Sequence, residues 1–200
     1  FVQGEYFKEA DGGAKSDAIQ KLVPRALWWF RWGAMATVLT GLAILGIRGG
    51  TGSLDIYIGA LLGVLMFANV WLVIWPNQKI VIASATQAAN GGQALPEAAE
   101  ALATAGLASR TNAMFSVPML YFMGASTHFP HGFNFFAFLV AAIIILALEY
   151  NGAYNALKNI GALSKLPPGG KMGPCATVKG VIHCGLGLTV VLFLIVDFIK

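Results

Sequence analysis

Three histidines, His128, His131 and His183, are the side chains in this sequence best suited to metal or haem chemistry. An imidazole nitrogen ligates haem iron and divalent metals, and inside a bilayer it is costly without a partner. His128 and His131 flank Phe129 and Pro130 in a short turn between two apolar runs, whereas His183 lies just inside the opposite end of the last run. Roughly 13 residues of helix, about 20 Å, separate His183 from the level of that turn. One iron cannot reach both ends. No cofactor is therefore expected in this chain, and His183 and His128 are only the positions at which a haem b ligand would be sought. The pair His128 and His131 lacks cysteine or carboxylate neighbours in sequence and makes a weak metal site, so no metal is expected either. The histidines read as interfacial groups bonded to water or backbone.

Cys175 and Cys184 do not form a CxxCH motif, so covalent haem attachment is not encoded, and both read as free thiols. No Gly-rich phosphate loop, paired-carboxylate site or nucleophile motif is present. Within the apolar runs, Asn69, Thr111, Asn112 and Ser116 need partners, Pro118 frees a backbone carbonyl one turn earlier, and Glu149 closes the fourth run. Hydrogen bonds between helices, each contributing about 0.6–2 kcal/mol, account for these residues better than a substrate pathway does.

The elements that must position these residues are legible from hydropathy. Residues 56–75 contain no charged side chain, and such a run of helix at ~1.5 Å per residue spans the ~30 Å hydrocarbon core of a bilayer. Four further apolar runs cover 32–47, 111–127, 133–148 and 181–196. The chain is 57% hydrophobic and 11% charged, with a mean hydropathy of +0.70, a composition unlike that of a water-soluble domain. The expected fold is an all-α polytopic transmembrane helix bundle with five visible spans. A sixth is expected before Phe1, because Phe1-Val2-Gln3-Gly4 reads as the exit of a preceding helix.

Residues 1–25 read as a cytoplasmic connector and 26–200 as the transmembrane domain, with cytoplasmic loops at 76–110 and 149–179. In the first loop, Pro96, Glu97 and Glu100 followed by an Ala-rich run to Arg110 predict a short helix aligned with its own dipole. Gly59-x-x-x-Gly63 predicts a close helix-packing face. Trp28, Trp29, Phe30 and Trp32 predict an interfacial belt beside which Arg25 and Arg31 snorkel.

With five spans the connections alternate between two sides. Side A receives eleven of the thirteen Lys and Arg residues, and side B keeps only Arg48 and Lys200. That bias places side A in the cytoplasm of a bacterial inner membrane. The net charge of +4 is thus a topology signal, and nucleic acid is not an expected partner.

Several segments together resemble one family. They are Val23-Pro24-Arg25-Ala26-Leu27-Trp28-Trp29-Phe30-Arg31-Trp32-Gly33; Asn69-Val70-Trp71 with Ile74-Trp75-Pro76-Asn77-Gln78-Lys79; and Ser109-Arg110-Thr111-Asn112 with Val117-Pro118-Met119 and His128. They are similar to the membrane domain of bacterial cytochrome-linked urate hydroxylases, over about residues 1–150. In that family a multi-helix membrane domain precedes a soluble cytochrome c domain, to which urate oxidation is thought to deliver electrons. The resemblance implies a redox-associated membrane protein in which Asn77, Lys79, Arg110, Asn112 and His128 occupy the matching polar positions.

Because this sequence has no CxxCH, the leading expectation is an accessory subunit of a respiratory or photosynthetic electron-transfer complex. Its partners would be the lipid bilayer and other membrane subunits. The alternative is a urate hydroxylase-like oxidoreductase that passes electrons to a separate cytochrome c. A transporter is disfavoured, since neither inverted repeats nor paired intramembrane charges are evident.

Overall fold

The computed structural model describes residues 2–47, 49, 51–158 and 160–199. Phe1, Arg48 and Lys200, on which the expected preceding helix and the two side-B charges rest, lie outside the described residues. Helix makes up 83% of the structure, and no strand occurs among the described residues.

Two short amphipathic helices come first, α1 (Val2–Glu9) and α2 (Gly12–Lys21), the second capped by Asp11, whose carboxylate accepts from the Ala14 amide at 2.8 Å. The connector is therefore helical. Helix α3 (Val23–Ile47) follows and buries only Val23, leaving its apolar length on the outside.

Helix α4 (Leu54–Ala68) starts at Ser53, whose hydroxyl accepts from the Ile56 amide, and runs into a π-helical segment, Asn69–Ile74, and then α5 (Trp75–Ala89). The sequence predicts a span end at Trp75 and a loop from 76 onward, yet the chain stays helical through Pro76. The reason is local. Proline has no N–H for an i→i−4 bond, and the wider i→i+5 pattern just before it absorbs the defect without breaking the helix. The non-helical part of the expected loop shrinks to residues 90–97, whose Leu95 amide donates to the hydroxyl of Ser84 in α5 at 3.0 Å.

Helix α6 (Ala98–His128) includes the short helix expected at 96–110 as its first turns and continues through Pro118. It packs against α4, α5, α7 (Phe135–Gly152) and α9 (Val178–Phe198), which makes it the inner helix of the bundle. Between α7 and α9 lie α8 (Tyr154–Leu157) and two 3-10 turns, Gly161–Lys165 and Gly173–Ala176.

Four helices among the described residues are long and apolar enough to cross a membrane: Val23–Ile47, Leu54–Ala89, Phe135–Gly152 and Val178–Phe198. The sequence predicts five, and six in all. The run at 111–127 falls short because Thr111, Asn112, Ser116, Gly124 and Ser126 dilute its hydropathy. Its central position explains that composition, since most of its surroundings are other helices and its polar groups can be bonded there.

Phe115 and Phe122 of α6 are fully buried against Ile58 and Leu62 of α4, Ile145 of α7 and Leu192 of α9. Glycines set the approach distances. A Cβ on Gly185 of α9 would lie 2.8 Å from Val117 Cγ2 and 3.0 Å from the Met114 carbonyl, the oxygen that Pro118 leaves without its helical donor. Of the expected Gly59/Gly63 face only Gly59 is close-packed, since a Cβ there would lie 3.3 Å from the Met123 methyl, while a Cβ on Gly63 would meet nothing within 4 Å.

Candidate functional site

A polar layer crosses the interior where α4 passes into the π-helical segment. Asn69 Nδ2 donates to Asn112 Oδ1 at 2.9 Å and to Glu149 Oε2 at 3.0 Å, and Asn112 Nδ2 donates to the Met66 carbonyl at 2.9 Å. All three side chains are buried, Asn69 to 1% exposure. Each sits 14 to 16 residues from the same end of its helix, the end that carries Leu54, His128 and Phe135, which places the layer about 21–24 Å along the bundle from that end. Close contact of α7 with α6 holds Glu149 in place. Gly152, one turn on, meets Thr111 so tightly that a Cβ there would overlap its side chain.

The amide orientations follow from one another. The Met66 carbonyl can only accept, so Asn112 must turn Nδ2 toward it and Oδ1 toward Asn69; Asn69 must then present Nδ2 to both neighbours. Asn69 Oδ1 consequently faces away, buried and without a hydrogen-bond partner among the described residues. Glu149 has no ion-pair partner among them. A carboxyl oxygen and an amide oxygen without donors, in a low-dielectric interior, leave the layer able to accept a further N–H or O–H donor. Thr111 and Ser116, by contrast, bond their own helix, to the carbonyls of Leu107 at 3.1 Å and Ala113 at 2.8 Å.

A second constellation closes the side-B end. Asp55, in the first turn of α4 and wholly buried, accepts from the His131 amide at 2.7 Å through Oδ2 and pairs with His131 Nδ1 at 2.9 Å through Oδ1. His131 Nε2 faces Asp197 of α9 at 3.8 Å, and the Leu54 amide donates to the His131 carbonyl at 3.1 Å. His131 is thus bonded to a carboxylate that reading the sequence misses. The available signal was Asp55 itself, an acid two residues after a capping serine at the mouth of the longest apolar run.

The positions picked out by resemblance do not converge on one site. Asn112 belongs to the polar layer. Arg110, two residues earlier, donates from Nη1 to the Cys175 carbonyl at 3.0 Å. Asn77 donates to the Val73 carbonyl at 2.8 Å and borders a cleft with Glu97, Glu100, Thr104 and Asn155. Lys79 lies 5.7 Å from the centre of the Trp75 ring, whose face is covered by Arg31 at 3.7 Å. Arg31 therefore stacks on Trp71 and Trp75, with Nε buried, where the sequence predicts snorkelling. His128 is the exposed last residue of α6, and His183 is exposed in the second turn of α9, at the other end of the bundle.

No curated protein and no solved structure matches the chain. A family model described as urate oxidase N-terminal matches residues 50–166, more than half of the sequence. The matched segment runs from the approach to α4 to the second-last 3-10 turn and contains both constellations except Asp197. The chain belongs to the urate oxidase N-terminal family.

Proposed function

We propose that this protein is a five-span subunit of a redox assembly in a bacterial cytoplasmic membrane, with α6 as its fifth, innermost span and side A facing the cytoplasm. The observation that carries the reading is the disposition of polar and apolar groups. Interior amides and the Glu149 carboxyl bond one another, while α3 turns Trp28, Trp29, Phe30, Trp32, Leu39, Leu42, Ile44 and Ile47 outward. A helix with one buried residue is held in place by lipid and neighbouring subunits more than by its own bundle. Extraction in a mild detergent is expected to keep the chain with larger redox proteins, identified by mass spectrometry. An isolated chain that oxidises urate with added cytochrome c would overturn the accessory role in favour of the enzyme reading, for which the family match speaks.

The basic residues give the orientation its test. In a variant with Cys175 and Cys184 replaced, a cysteine at Lys165 should stay protected from an impermeant maleimide in intact cells, and one at Gly132 should react. Gly132 is chosen because it is exposed and leaves the His131 bonds intact. The reverse pattern would invert the topology.

His128 and His183 sit at opposite ends, so the chain expressed from Phe1 onward is expected to bind no stoichiometric haem b. A reduced-minus-oxidised spectrum with one haem per chain, lost in His183→Ala, would refute this.

A further inference from the structure

We propose that Cys175, Cys184 and Met114 form a three-sulfur site for a soft monovalent metal ion, with Cu(I) as the ion it suits. Cys175 Sγ lies 4.0 Å from Met114 Sδ. Cys175 and Cys184 both pack on the buried cluster to which Met114 belongs, and Gly185, next to Cys184, closes on the Met114 carbonyl. A metal bonded to three sulfurs at about 2.3 Å in a trigonal plane holds them about 4.0 Å apart, so the spacing of Cys175 and Met114 already has the length such a site requires.

The fold assembles the three sulfurs from separate elements. Met114 is on the inner helix α6 and is buried. Cys175 sits in the turn Gly173–Ala176, which Arg110 pins to α6 through the Cys175 carbonyl. Cys184 is carried by α9, and Gly185 beside it lets α9 approach the backbone of α6 at Met114 itself. Both thiols are half-buried at the side-A end, within reach of an ion from that side.

The donor set selects the ion. Two thiols and a thioether are soft ligands, which favour Cu(I). A tetrahedral zinc site would need further His, Cys, Asp or Glu, and no group of three or more such residues suited to a metal occurs among the described residues. A bound soft cation displaces thiol protons: one Cu(I) and two thiols give a bis-thiolate copper centre and two protons, with no change of oxidation state. The site then carries one net negative charge, opposite the Arg110 guanidinium. Cys175 and Cys184 lie beyond residues 50–166, so the family match does not supply this site.

The test uses the full chain, reduced and purified in mild detergent, titrated anaerobically with Cu(I) against a chromophoric Cu(I) chelator. One Cu(I) per chain is expected, with three sulfurs near 2.3 Å by X-ray absorption. Cys175→Ser and Cys184→Ser should each weaken binding by roughly 100-fold or more, and Met114→Leu, which keeps the packing volume, by roughly tenfold. Affinity unchanged in the Cys175→Ser/Cys184→Ser double variant would overturn the proposal. So would an absorption spectrum with two sulfurs only, which needs no variant to fold, or recovery of the native protein with Cys175 and Cys184 joined in a disulfide.

Discussion

Replacing Asn69 with leucine is expected to destabilise the bundle by about 2–4 kcal/mol, whereas Glu149→Gln should change its stability by less than about 1 kcal/mol. The asymmetry comes from who depends on whom. Asn69 Nδ2 is the donor for both Asn112 Oδ1 and Glu149 Oε2. An interhelical hydrogen bond in a membrane protein contributes about 0.6–2 kcal/mol, and an acceptor stranded by loss of its partner costs a further ~1–3 kcal/mol. Leucine is similar in size to asparagine, so part of that loss returns as packing. Glutamine at 149 keeps an oxygen for the Asn69 donor. Thermal unfolding in detergent, followed by circular dichroism, reads both variants, and a cycle with Asn112→Leu should show the two asparagines coupled and not additive. Equal effects for Asn69→Leu and Glu149→Gln would mean that the layer is held by the charge of the carboxyl and not by the amide.

That layer also marks how far the sequence could be read. Polar residues at 69 and 112 were visible as intramembrane groups in need of partners, because bilayer physics leaves few other options, whereas Glu149 read only as the residue that closes the fourth run. Their meeting was not visible. Which way Asn69 points depends on where the π-helical turn falls, and one wider turn rotates everything after it relative to a regular α-helix. Pro76 carried the same ambiguity: the rule that proline ends helices favoured a loop, while the structure accommodates it in the first turn of α5. The four apolar helices were legible because length and hydropathy alone define them, and the inner helix was the hardest to classify because its environment is protein. The side-B cluster was hidden for another reason, since Asp55 and His131 are 76 residues apart and no periodicity connects them.

Asp55→Ala is the second large effect expected, a loss of about 3 kcal/mol concentrated at the side-B end. Asp55 is wholly buried, and both of its oxygens are committed to His131, one to the backbone amide at 2.7 Å and one to the ring at 2.9 Å. Hydrogen bonds to a charged group contribute about 1.5–3 kcal/mol each, so alanine removes one strong contact to the turn between α6 and α7 and another to its side chain. The partners left behind would be an unpaired N–H and an imidazole with the more distant Asp197 carboxylate to face. Asn at 55 should lose roughly half as much. Its amide oxygen still accepts from the His131 N–H, and its NH₂ can donate to Nδ1 once the ring carries its proton on Nε2, toward Asp197. His131→Ala removes the ring contact alone and should resemble Asp55→Asn. Amide hydrogen exchange supplies the local readout: the Leu54 and His131 N–H groups, tied across this junction, should exchange much faster in Asp55→Ala, while amides in the middle of α6 keep their protection. If Asp55→Ala melts within about 0.5 kcal/mol of the parent and both amides stay protected, the α4 carboxylate is not what holds the turn, and the neighbouring ring contacts of Phe193 with His131 and of Tyr57 with Phe133 must do so instead.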